Sequence, residues 1–198
     1  MSRIGIIAAA AFGLAACTQA PGTQPAQGIT YGPVNVNQAP AFGVPFGTDP
    51  VLTSVMSASS FYADPRSRLA GRPALAAQVA AQYEFATVAL REPRFIDFSP
   101  LTQIQMDAGR IALRDTLGIR QDAPSEAVIT QLTQAAGALG RGDAAAAETA
   151  VTGGSFTRPA ATVLATLQAM PEVPAAGRAA SFAEQQFNRP GGSRYFTP

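Results

Sequence analysis

Few side chains in this chain are equipped for chemistry, and their positions narrow what that chemistry is. Glu84 stands inside a long apolar stretch, between Tyr83 and Phe85. Apolar surroundings disfavour the charged form of a carboxyl group, which suits a general acid in a glycan-cleaving enzyme. The plainer use is structural: an Arg on a neighbouring helix, or exposure along a polar stripe with Thr87 and Arg91. Asp64, Arg66, Arg68 and Arg72 follow Phe61-Tyr62 and form a second polar group. Guanidinium forks hold carboxylates and aromatic rings stack on sugars, so the patch is a tentative polar site together with Glu84. Its ordinary reading is an inter-helix loop with surface ion pairs. Asp107, Arg110 and Arg114 fall at helical spacing and read as a solvated face. Gly153-Gly154 and Gly191-Gly192 are isolated pairs without the rest of a phosphate loop.

What the chain lacks is as informative. It has no His, no Lys, no Trp and a single Cys. His-based triads, Schiff-base lysines, P-loop lysines and zinc sites of His and Cys are therefore excluded. Carboxylates, Tyr, Arg, Ser and Thr remain; no catalytic residue, cofactor or metal site is expected. The 14 basic residues, all Arg, balance 13 acidic ones. Such a balance leaves no electrostatic footprint for nucleic acid and no polybasic patch for a membrane.

The first residues carry a pattern of their own. Met1-Ser2-Arg3 has one positive charge, and Ile4 to Ala16 has no charge and no strongly polar side chain. As a helix that run would span roughly 20 Å, short of the ~30 Å hydrocarbon core, so it reads as a signal-peptide h-region. Leu14-Ala15-Ala16-Cys17 resembles the lipobox of bacterial lipoprotein precursors. The resemblance covers residues 1–18 only. It implies cleavage after Ala16, diacylglycerol on the Cys17 thiol and acylation of the new amine. An ordinary secretory signal cut near Ala20 is the alternative. A lone Cys cannot form an intramolecular disulfide in an oxidising compartment, which fits the lipid-bearing role. Two or three acyl chains suffice for stable anchoring. In proteins with this start, Asp after the Cys favours the inner membrane; Thr18 stands here instead. The periplasmic face of the outer membrane is the expected address, and that of the inner membrane the alternative.

These groups must be positioned by helices. Residues 17–48 read as the lipidated Cys and an uncharged tether, with Pro21, Pro25, Pro33, Pro40 and Pro45 interleaved with Gly. No helix survives that spacing. As a coil the tether would span roughly 30 Å r.m.s. and ~100 Å stretched. Its second half carries Ile29, Tyr31, Val34, Val36, Phe42, Val44 and Phe46, which suits an extended run along the domain surface.

From Asp49 the pattern turns helical, and no period-2 run of useful length appears. Helix starts are expected at Asp49-Pro50, Pro73, Ser99-Pro100, Asp122 with Pro124, and Asp143, with further helices near 159–170 and 175–188. The second of these is apolar enough to be central. On the third, Leu101, Ile104, Ala108 and Ile111 are expected to face the core, opposite Gln103, Asp107, Arg110 and Arg114. The expected fold is all-α: one irregular bundle of about five to seven helices over 49–189, then a flexible tail over 190–198. Its core should include Leu75, Val79, Leu90, Ile104, Ile111, Leu132, Leu139, Leu164 and Leu167. Ala127–Val151 resembles a single tetratricopeptide-type helix pair, through Ala138-Leu139 and Gly142-Asp143; no 20–50-residue repeat accompanies it.

The sequence thus points to a membrane-anchored envelope lipoprotein whose helical domain binds or supports without catalysing. An envelope protein or peptidoglycan would be its partner, besides the membrane reached through Cys17. The alternative is a carboxylate-dependent enzyme acting on envelope polysaccharide. The tether has a direct check. A broad-specificity protease should leave a stable fragment beginning between Ile29 and Leu52, whereas first cleavage within Ala74–Leu117 would overturn the domain boundary.

Overall fold

The computed structural model describes residues 49–189. Cys17, residues 1–48 and the tail from Pro190 lie outside the described residues. Within them the chain forms eight helices: α1 (Pro50–Tyr62), α2 (Pro65–Arg68), α3 (Pro73–Ala89), α4 (Pro100–Leu117), α5 (Ser125–Gly140), α6 (Ala144–Ala150), α7 (Ala160–Gln168) and α8 (Pro174–Phe187). The protein is all-α, with one helix more than the expected range. The addition is the single turn α2, which Asp64 starts by accepting from the Ser67 amide.

Most starts follow the cap-and-proline logic. Asp49 accepts from the Val51 amide at 2.7 Å, Ser99 from Leu101 at 3.3 Å and Asp143 from Ala146 at 3.0 Å. Asp122 is an exception: it pairs with Arg120 in the loop and caps nothing, and Pro124 alone precedes α5. Hydrogen bonding from Arg120 holds the Asp122 carboxyl below its ordinary range.

Helix α3 lies at the centre, packed against α1, α4, α5 and α7, while α8 packs on α1 and α4 and α6 on α5. Both apolar faces of α3 are covered, and so are Gln82, Glu84 and Thr87. Its many Ala residues keep the neighbouring backbones close. Phe95, Phe98 and Phe187 close one end of the core, with ring centroids 4.9 to 5.7 Å apart. Val79, Leu90, Leu132 and Leu167 are buried as expected; Leu75 and Leu164 are partly buried against the core, and Leu139 is half-buried.

Helix α4 is turned about half a revolution from its expected register. Ile104 is 64% exposed, Leu101 46% and Ile111 38%, whereas Arg110 and Arg114 are each 1% exposed. Thr102, Met106, Gly109, Leu113 and Leu117 face inward instead. Close approach supplies one reason. A Cβ on Gly109 would stand 1.9 Å from the Tyr83 hydroxyl and 2.9 Å from the Ala176 backbone. Likewise, a Cβ on Gly177 would meet the Tyr62 carbonyl oxygen at 2.5 Å. The α4–α8 and α1–α8 crossings therefore use glycine as the contact surface, and the inward side of Gly109 fixes which way Ile104 and Ile111 point. The buried arginines supply the other reason.

Gly109→Ala should destabilise the domain by about 1–3 kcal/mol, because overpacking outweighs the gain of up to ~1 kcal/mol in helix propensity. Gly137→Ala, on the exposed side of α5 with only the end of Arg141 nearby at 3.4 Å, should instead be neutral or stabilising by up to ~1 kcal/mol. Urea midpoints of the two variants on opposite sides of the parent would verify the glycine contact.

Candidate functional site

Glu84 is 2% exposed in the middle of α3, and α4 brings two guanidinium groups to it. Arg114 grips the carboxylate as a fork: its Nε donates to Oε2 at 3.1 Å and its Nη2 donates to Oε1. Arg110 Nη1 donates to Oε1 at 3.3 Å, and the Ser125 hydroxyl at the first residue of α5 donates to Oε1 at 2.7 Å. Three helices thus meet at one carboxylate. The spacing of Arg110 and Arg114, one turn apart, puts both on the side of α4 that faces α3.

The loop after α4 completes the arrangement. Gly118 takes φ 70°, a left-handed conformation that ends α4 and turns the chain back. The turned loop makes one isolated antiparallel bridge, Ile119 to Phe156; no strand forms among the described residues. The Arg120 amide donates to the Ser155 carbonyl at 2.8 Å and the Thr157 amide to the Gly118 carbonyl at 2.7 Å. Held this way, the loop aims three carbonyls at Arg114 Nη1: Arg120 at 2.9 Å, Gln121 at 3.0 Å and Ala123 at 2.9 Å. A buried guanidinium needs its donors filled, and this one is served by a carboxylate and the main chain together.

The chemical consequence is that both Glu84 oxygens already accept hydrogen bonds. The residue lines neither of the two clefts described below, so a sugar ring in either would not touch it. Its partners are those of the structural reading, an ion pair with a neighbouring helix. The solvated face expected at Asp107, Arg110 and Arg114 is corrected accordingly: only Asp107 is at the surface, paired with Arg91. Ser125 gave no sequence signal beyond its place at a helix start.

The Asp64 group does not join Glu84. Asp64, Arg66, Arg68 and Arg72 are all exposed around the α1–α3 connection. Arg66 pairs with Glu172 at 3.4 Å, Arg68 donates to the Ser60 hydroxyl at 2.6 Å, and Asp64 is held below its ordinary pKa by the Ser67 hydroxyl. Tyr62 is buried, with its ring edge-on to Tyr83 at 5.8 Å, so it offers no face for a sugar. Burial pushes both phenols well above their ordinary range.

Two clefts indent the surface. One, of about 580 Å³, is bounded by Pro65, Gln105, Glu172, Arg178 and Phe182, beside the Arg66–Glu172 pair. The other, of about 690 Å³, runs along α5 and α6 past Gln131, Gln134, Arg141 and Thr149. Among the described residues no group of three or more acids, His or Cys is gathered as for a metal ion, and no helix is long and apolar enough to cross a membrane. Comparisons with protein-family models, with curated proteins and with solved structures find no match to this chain.

Glu84→Gln should cost about 3–5 kcal/mol of folding stability, because it leaves two buried guanidinium groups without their counter-charge. The loss should persist in high salt, which screens buried pairs far less than exposed ones. Denaturant unfolding at low and high ionic strength checks both points. A loss below ~1 kcal/mol would mean that the network carries little of the fold.

Proposed function

We propose that this chain is an envelope lipoprotein, anchored through acyl groups on Cys17, whose helical domain acts as a non-enzymatic binding or structural module. The carrying observation is the use of Glu84. It is the acid that the sequence places best for acid chemistry, and it serves as the clasp of three helices. The sequence supports the rest. It supplies no imidazole, amine or second thiol, and it opens with a charged residue, an apolar run and Leu14-Ala15-Ala16-Cys17. Its 14 basic residues against 13 acidic ones leave membrane affinity to the lipid.

The partner of such a domain is an envelope protein or peptidoglycan at the periplasmic face of the outer membrane, with the inner membrane as the other address. The anchor is the first thing to test. Metabolic labelling with a fatty-acid analogue should mark the parent chain and not Cys17→Ser. The variant should leave the membrane fraction or accumulate as precursor. Equal labelling of both would remove the lipoprotein reading. Glycan cleavage by the parent that disappears in a stably folded Glu84→Gln would remove the non-enzymatic one.

A further inference from the structure

The outward stripe of α4 is apolar where a solvated helix face is ordinarily polar. Leu101, Ile104, Ala108 and Ile111 recur at steps of three and four residues, directly opposite the buried side of the helix. Ile96, four residues before the first residue of α4, is 81% exposed as well. Large apolar side chains aligned this way mark a contact surface.

The position of Asp49 says what reaches that surface. Asp49, the first described residue, pairs with Arg94 in the 3-10 turn Pro93–Phe95, one residue away from Ile96. Asp49 therefore stands against the turn that leads into α4. The segment before it carries Phe42, Val44 and Phe46 at alternate positions and has no charged residue. In an extended chain those three side chains share one face and cover roughly 13 Å, close to the roughly 15 Å from Leu101 to Ile111 along the helix. Two residues, Gly47 and Thr48, separate Phe46 from Asp49, a reach of about 10 Å.

We propose that the segment Phe42–Phe46 of this chain lies along the α4 stripe, with Phe42, Val44 and Phe46 against Ile96, Leu101, Ile104 and Ile111. Its covalent attachment presents it at an effective concentration of about millimolar, which favours it over a second copy of the chain. Its lack of charge adds no desolvation cost beyond the backbone, and Pro45 removes one amide that would otherwise need a partner. This contact is independent of whether Cys17 is acylated. Its effect on the anchor, where one exists, is to take the domain-proximal part of the tether out of its reach.

The chain has no Trp, so a single introduced one reports alone. The test uses the full chain with Cys17→Ser, which removes the lipid from the measurement, and Ile104→Trp. The expected emission lies at short wavelength, does not vary with protein concentration, and moves to the water-exposed value when Phe42, Val44 and Phe46 are all replaced by Ser. Helix content by circular dichroism should stay constant across the series. A second measurement needs no aromatic probe: in the Cys17→Ser chain, Val44→Cys with Ile104→Cys should oxidise to an intramolecular disulfide. The pair Val44→Cys with Glu148→Cys should not. Water-exposed emission in the parent, short-wavelength emission that survives the triple replacement, or a shift that appears only on raising protein concentration or adding phospholipid vesicles would each overturn the proposal. In the last two cases the stripe belongs to a second copy or to a lipid surface. Equal crosslinking of both cysteine pairs would overturn it too.

Discussion

The buried Glu84 carboxylate organises this domain more than any other group. A charge in an apolar interior is tolerated only when its oxygens are filled and its charge is balanced, and α3 supplies neither of these by itself. The remedy comes from three directions: Arg110 and Arg114 from α4, the Ser125 hydroxyl from α5, and the loop that fills the remaining donors of Arg114. That requirement sets the rotation of α4 about its axis. Two branched side chains, Ile104 and Ile111, stand toward solvent as a result.

Much of the fold was legible in the sequence, for a local reason. Prolines at first helical positions, Asp and Ser caps and the Gly118 stop are signals that a few residues carry alone. The all-α class and most helix limits follow from them. The central place of α3 was legible because it is apolar on more than one face. The rotation of α4 was not. Judged by hydropathy, Leu101, Ile104 and Ile111 look like its inner face and two arginines like its outer one. The inversion follows from Glu84 and Gly109, whose partners lie on other helices and are invisible to any window along α4. A Glu in an apolar helix and an Arg pair one turn apart hint at each other, but only contact joins them.

The candidate site was legible in part. The sequence offered Glu84 both a chemical and a structural role, and the geometry of its partners decides for the second. The exposed residues around Asp64 did not converge with it, because Tyr62 spends its ring on Tyr83 and the arginines point outward to Ser60 and Glu172. Of these side chains, Tyr62 and Glu172 line the cleft at Gln105 and Phe182, and the arginines do not. What the described domain offers a partner is thus surface, its clefts among it.

The loop around Arg114 has a consequence for the order in which the domain comes together. Every acceptor on Arg114 Nη1 belongs to residues that follow it, the last of them Ala123, and Ser125 lies further on still. Until the chain has grown past them, Nη1 of Arg114 has none of its main-chain acceptors and Glu84 lacks the Ser125 hydroxyl. The Glu84 clasp is therefore complete only once about eight residues after α4 have been made.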